Sequence, residues 1–257
     1  MVLAILSALP EEQHGVQHLL TDVETVRHAG RSFVTGRYGS QAVVLALTGI
    51  GKVAAATTAT ALIERFGAQQ LVFTGVAGGV GAGVQVGDVV VAQHFVQHDM
   101  DVRPLFPRWQ VPGYAAPTWA CDARMREALQ AAAQACVAEA ATWHEPLLAG
   151  RTPQVHAGLV ASGDQFIVSA AVAGAITQDL HTAGYAPLAV EMEGAAIAQV
   201  CADYGVPFAA VRTISDRADD SAHVDFPAFV AAVASRYALH MVSHWLQQAR
   251  QHAPVAI

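Results

Sequence analysis

Short apolar runs, each closed by a glycine turn or an acid and followed by a helical pattern, constrain this chain more than any other feature. Val2 to Leu9, Leu71 to Phe73, Val89 to Val96, Val155 to Ser162, Leu188 to Val190 and Phe208 to Ile214 read as buried strands. Arg31–Tyr38 and Gln41–Leu47, split by Gly39-Ser40, read as a hairpin. Helices are predicted from Pro10-Glu11-Glu12 onward, from Lys52 to about Phe66, and over Asp122–Ala140, Ser169–Thr182, Met192–Tyr204 and Pro227–Gln251. Strands alternating with helices predict an α/β fold: one domain over residues 1–257, with a central mixed β-sheet flanked by helices. Two stretches resist assignment. The proline-rich segment His98–Tyr114 cannot be helical, and Thr142–Pro153 reads as a surface excursion.

Composition narrows the partners. Hydrophobic residues make up 53% of the 257 and charged ones 14%, so elements must bury more than one side. No apolar run approaches the roughly 18–20 residues of a membrane span, and MVLAILSALPEE lacks the basic start of a signal peptide. The cysteines (Cys121, Cys136, Cys201) are far apart and odd in number, which suits reduced thiols in a cytoplasm. A net charge of −7 with 14 Lys and Arg offers no basic stripe for nucleic acid, so the expected partner is a small molecule.

Acids mark the strand ends. Glu191 and Glu193 close the strand at Leu188–Val190, Asp216 closes Phe208–Ile214, and Glu11 and Glu12 follow the first strand. Ligands in open α/β sheets bind at such carboxyl ends. Each acid alone reads more readily as a helix-start or capping residue; their shared placement is what suggests chemistry. Gly75-Val76-Ala77-Gly78-Gly79 follows a buried strand and reads as a glycine loop, either a sharp turn or a close approach to a ligand. Gly49-Ile50-Gly51-Lys52-Val53-Ala54 fits a loose dinucleotide fingerprint, but no acid ends the next strand, so a tight turn is preferred. The i,i+4 histidine pairs His14/His18, His94/His98 and His240/His244 lack a convincing third ligand, and neither a metal nor any other cofactor is expected.

Read in order, ALPEE, TGIGKVAAA, TGVAGG, VGDVVV, HDMDV, ASGDQFI, AVEMEGAAIA and RTISDRAD resemble the 5'-methylthioadenosine/S-adenosylhomocysteine nucleosidases, within the wider purine nucleoside phosphorylase-like superfamily. The resemblance implies hydrolysis of an N-glycosidic bond to adenine and a 5-thio-substituted ribose, by a homodimer that takes a small-molecule nucleoside. It matches Glu12, rather than Glu11, to the water-activating carboxylate, Glu193 to the residue holding the ribose hydroxyls, and Asp216 to the acid that protonates purine N7. It also implies that Met192, beside Glu191, lies against the ribose, and that Phe166 stacks on adenine while the Ile167 backbone reads its edge. Arg212 and Ser215 would support the acids; Leu9, Ile50, Val102 and Phe226, with Val76, Ala77 and Gly78 of the glycine segment, would line the pocket.

The chemistry sets its own expectations. Cleavage builds positive charge on the sugar and negative charge on the base, so an acid must meet the base while a carboxylate and a water approach the anomeric carbon. Asp219 and Asp220 near Asp216 should favour its protonated form, while Glu193 at a helix N-terminus should stay ionised. The strand Leu71-Val72-Phe73 lacks the arginine that phosphorylases of the superfamily use for phosphate, which favours water. Two departures bear on substrate choice. Val76 stands where the family loop carries serine, and Leu105–Tyr114 replaces the segment that closes the 5′ pocket, where Arg103, Arg108 and Trp109 could admit another 5′ group. The alternatives are a futalosine-type hydrolase or phosphorylase acting on another purine nucleoside, and a non-catalytic nucleoside-binding protein.

Overall fold

The first strand, β1 (Val2–Ser7), shows why its run is apolar without a break: successive side chains point to opposite faces, and both faces are covered. Leu3 and Ile5 enter one core, while Ala4 and Leu6 enter the other. The computed structural model describes residues 1–143, 145–148, 151–219 and 222–251, with the backbone alone for 223–225 and 249–251.

A single mixed sheet organises these residues. β2 (Thr21–His28), β3 (Arg31–Tyr38) and β4 (Gln41–Leu47) form an antiparallel meander, and β4 pairs in parallel with β1. β1 pairs in parallel with β5 (Gln70–Gly79), and β5 with β10 (Phe208–Asp216). A second parallel set comprises β6 (Val89–Gln97), β8 (Val155–Ser162) and β9 (Pro187–Glu191), with the short β7 (Thr118–Ala120) antiparallel to β6. The sets meet antiparallel twice, at β10–β6 and at β5–β9. Strands β5, β10, β6, β8 and β9 therefore close into a ring, with β1, β4, β3 and β2 running off its side.

Helices cover both faces. α1 (Lys52–Glu64) and α4 (Gly194–Tyr204) pack on the core containing Phe33, Phe73 and Phe95. The opposite core is covered by α2 (Ala123–Ala140), capped by the Asp122 side chain on the Met125 amide, and by α5 (Ala222–Phe229) and α6 (Ser235–Gln251). α3 (Ala170–Thr182) covers a third, smaller cluster with Ile167 and Val190.

Four expectations need correction. The chain after Pro10 makes only two short 3₁₀ turns, Glu11–Gln13 and Val16–Leu19, parted at Gly15, whose φ of 81° breaks the helical path. The following strand, β2, was not foreseen; its TDVETVRH is exposed along most of its length and lacks an apolar face. The glycines from 75 to 79 are strand, not loop, since β5 runs through them. The closing helix starts before Pro227, inside α5, and a π turn at Val230–Ala234 separates α5 from α6.

Candidate active site

The antiparallel meeting of β5 with β9 aligns Gly78 with Val190, so the two strands bring their carboxyl ends together head on. β10 ends beside Gly78, and the turn after β1 lies across β5. Three elements far apart in sequence thus deliver Glu12, Glu191 with Glu193, and Asp216 to one cavity of about 340 Å³. That volume falls in the usual range for small-molecule sites, roughly 300–1,000 Å³.

Glu12 is buried, contrary to the solvated position an acid in a first turn would normally take. Its Oε2 accepts the amides of Ala8 and Leu9, both at 2.8 Å, and its Oε1 accepts the amide of Val76 at 2.9 Å. Such converging amides form an anion-binding nest, here filled by the chain's own carboxylate. Burial raises the Glu12 pKa above its ordinary value, against the lowering pull of Arg212 and these amides.

Behind it lies Arg212, fully buried, with its guanidinium 3.7 Å over the Phe73 ring. A Cβ on Gly75 would fall 2.3 Å from Arg212 Nη1 and 2.8 Å from Glu12 Oε1. Close packing against the Arg212–Glu12 layer, not a turn, explains that glycine. Arg212 pairs with Glu191, which also accepts the Ser162 hydroxyl and the amides of Glu193 and Gly194. Arg212 Nη2 is 3.6 Å from Glu193.

Glu193 was expected to stay ionised; its surroundings favour the proton instead. Burial and the neighbouring Glu191 push its pKa up to about 8, opposed by Arg212 and the Gly51 amide at 2.9 Å. The helix N-terminus gives it little help, because its side chain does not cap its own helix.

Asp216 Oδ2 accepts the Ser215 hydroxyl at 2.7 Å, and its Oδ1 accepts the Ala218 amide at 2.8 Å. Gly78 lets this carboxylate pack close, since a Cβ there would stand 3.0 Å from Asp216 Oδ1. Asp220, one of the two acids expected to act on Asp216, lies outside the described residues.

The cavity wall contains Leu9, Glu12, Ile50, Val76, Ala77, Gly78, Phe166, Glu191, Met192, Glu193, Ser215, Asp216 and Phe226 among the expected residues. Phe166 and Phe226 meet edge to face with centroids 5.5 Å apart. Ile167 lines a narrower recess that continues past Asp216 and Phe166, and Arg212 lies beneath the floor rather than in it. Val102 is the exception: it stands on the 98–117 segment and lines neither space. Nor do Arg103, Arg108 or Trp109, since Arg103 pairs with Asp101, and Arg108 pairs with Asp179 and stacks on Trp109. Ala8 and Val190 line the cavity without having been singled out.

The Gly49–Lys52 turn is no dinucleotide site. Gly49 and Gly51 adopt positive φ (73° and 98°), and the amides that open α1 are already bonded, Gly51 to Glu193 and Lys52 to Asp164 at 2.7 Å. Among the described residues no group of three or more His, Cys, Asp or Glu could hold a metal ion. Among them, too, no helix is long and apolar enough to cross a membrane.

A closed ring of mixed strands whose ends converge on a nucleoside-sized cavity walled by buried carboxylates and aromatic rings defines a nucleoside phosphorylase-like enzyme. Residues 2–246 match the phosphorylase superfamily. A 5'-methylthioadenosine/S-adenosylhomocysteine nucleosidase from Mycobacterium bovis is 33% identical over 249 residues, covering 91% of this chain and 93% of the relative. The solved nucleosidase of that type from Neisseria meningitidis, in complex with methylthio-immucillin-A, is 32% identical with a TM-score of 0.83, covering 96% of this chain and 99% of its own. Futalosine hydrolase of Helicobacter pylori is 28% identical with a TM-score of 0.82, covering 96% and 98%. The chain belongs to the phosphorylase superfamily and, within it, to the 5'-methylthioadenosine/S-adenosylhomocysteine nucleosidase family.

Proposed function

We propose that this protein hydrolyses the N-glycosidic bond of 5'-methylthioadenosine and S-adenosylhomocysteine, releasing adenine and a 5-thio-substituted ribose. The observation that carries hydrolysis rather than phosphorolysis is the Glu12 carboxylate in the amide nest of Ala8, Leu9 and Val76. A phosphate needs such a nest and a nearby cation; here the Glu12 carboxyl group occupies the nest, and Arg212 is committed to Glu191. A carboxylate whose pKa is raised by burial is instead well suited to take a proton from water.

In this reading Asp216, oriented by Ser215 and the Ala218 amide, gives its proton to purine N7 as the bond to the anomeric carbon breaks. Glu12 accepts a proton from the attacking water, and Glu193 accepts the ribose hydroxyls, which favour its ionised form. Met192 lies against the sugar, Phe166 stacks on the base, and the Ile167 backbone reads the base edge. Leu9, Ile50, Val76 and Phe226 give the wall an apolar character that suits a thioether better than a charged 5′ group.

The active form is a homodimer, supported by apolar side chains left exposed at the mouth and by the place of Val102 outside the cavity of a single chain. Three buried free thiols suit a reducing cytoplasm.

Adenine release from 5'-methylthioadenosine should proceed at the same rate with and without inorganic phosphate; strict dependence on phosphate would refute hydrolysis. Asp216→Asn should lower turnover about 10²–10⁴-fold while adenine binding persists. A variant with near-native turnover would remove Asp216 from the acid's role.

A further inference from the structure

Lys52 stands against the electrostatics of its own helix. It is a cation in the first turn of α1, where the helix dipole disfavours positive charge, and the residue before it, Gly51, offers no capping side chain. Such violations are expected where a site depends on them. The α1 amides are served instead by carboxylates from remote segments, Gly51 by Glu193 and Lys52 by Asp164.

The Lys52 side chain then closes a ring. Its Nζ donates to Asp99 Oδ1 at 2.6 Å and to Gln97 Oε1 at 2.9 Å; Asp99 Oδ2 accepts the Asp164 amide at 2.9 Å; and Asp164 Oδ1 accepts the Lys52 amide. Three segments are thereby tied together: the Gly49–Lys52 turn, the end of β6 with Asp99, and the Gly163-Asp164 turn after β8. The first presents Ile50 to the cavity and the third leads to Phe166, so both carry part of its wall. The Lys52 ammonium, largely shielded from solvent, pairs with Asp99 and fixes that carboxylate, which in turn holds the Asp164 amide. The Gly51 amide that reaches Glu193 is covalently next to Lys52, so its position is set by this ring.

We propose that Lys52, through the ring with Asp99 and Asp164, is a positioning residue that holds the Gly51 amide on Glu193 and so orients the carboxylate that receives the ribose hydroxyls. The role rests on the reading of Glu193 given above. Lys52 touches neither base nor sugar; it acts by keeping one peptide N–H in place and one carboxylate aimed.

The test compares ligands with and without ribose hydroxyls. Lys52→Met keeps the length of the side chain and removes its charge. It should lower kcat/KM on 5'-methylthioadenosine about 10–100-fold, the scale of one misaligned hydrogen bond to a charged group. The loss on the 2′,3′-dideoxy analogue should be within about threefold, since no hydroxyl remains for Glu193 to orient. Adenine affinity should be unchanged. Asp99→Asn, which removes the negative partner but keeps an acceptor for the Asp164 amide, should show the same pattern more weakly, and Lys52→Arg should restore most of the loss.

Equal losses on the two nucleosides, or a matching loss of adenine affinity, would overturn the proposal by making Lys52 a general support of the fold. So would native kinetics in Lys52→Met. If Lys52→Met does not fold, Asp99→Asn decides by the same comparison. Failure of the reading beneath it looks different: native enzyme would then release adenine equally well from nucleosides with and without the hydroxyls, or not at all.

Discussion

Arg212 faces more negative charge than it can balance. Glu191 takes the close pairing, Glu193 stands 3.6 Å away, and Glu12 feels the same guanidinium. Burial forbids leaving several carboxylates ionised around one cation, so protons must be kept somewhere in the set. Glu193, pushed up to about 8 by burial and Glu191, is where one stays near neutrality. Its folded value lies above its ordinary 4.5, so its contribution to stability is full below that value and is lost as pH rises through about 8. Glu193→Gln, neutral throughout, should therefore gain on the native protein between pH 5 and pH 8, by about 1 kcal/mol or more in denaturant unfolding. An advantage that shrinks with rising pH would contradict the shift. Binding is linked to the same proton. If the ribose hydroxyls donate to ionised Glu193, affinity for a non-hydrolysable nucleoside should weaken by up to about tenfold per pH unit below about 8. Adenine alone should lack that slope, and identical slopes by calorimetry would rule Glu193 out as the group responsible.

At the scale of elements, β5 shows what a linear reading could and could not reach. Its apolar half, Leu71–Phe73, was readable as a buried strand; its glycines, read as a loop, continue the ladder beside β10 and β9. None of Gly75, Gly78 and Gly79 has positive φ; each is small because a side chain from elsewhere occupies the space a Cβ would need. Gly75→Ala should thus displace Arg212 and Glu12 together, destabilising by about 1–3 kcal/mol and lowering turnover, whereas Gly174→Ala, inside α3 with open space around it, should stabilise slightly. Thermal unfolding of the two variants checks this, and a harmless Gly75→Ala would mean that the layer has room to move. The acids were readable because carboxylates at the ends of apolar runs are conspicuous. Their meeting was not, because it depends on two antiparallel contacts that close the ring, and no periodicity encodes such pairings. The exposed strand β2 escaped for the opposite reason, having no buried face to leave an alternating pattern. Lys52, Asp99 and Asp164 lie in TGIGKVAAA, HDMDV and ASGDQFI, where no spacing or pattern links one to another. The one local signal, a lysine opening a helix, gains meaning only once its partners are in place.

For the whole molecule, the question is what covers the mouth of the cavity. Ile50, Val53, Leu105, Phe106, Phe166 and Val168 are each at least 40% exposed. They belong to the α1 turn, the 98–117 segment and the stretch after β8, the same three regions that the Lys52 ring draws together. Scattered apolar residues are ordinary on a surface, whereas apolar surface gathered beside a ligand site is available to the ligand or to a docking partner. A second copy of the chain placed there would bury this patch and bring a Val102-bearing segment toward the cavity, which a single chain leaves without it. Sedimentation of the native protein at micromolar concentration should then give a dimer. Val53→Glu combined with Leu105→Glu, neither of which lines the cavity, should dissociate it, because a carboxylate buried in an apolar interface costs several kcal/mol. If the neighbour completes the pocket, the dissociated form should bind 5'-methylthioadenosine more weakly while keeping its affinity for adenine. A native monomer, or a dissociated variant with unchanged nucleoside affinity, would show that one chain holds the whole site.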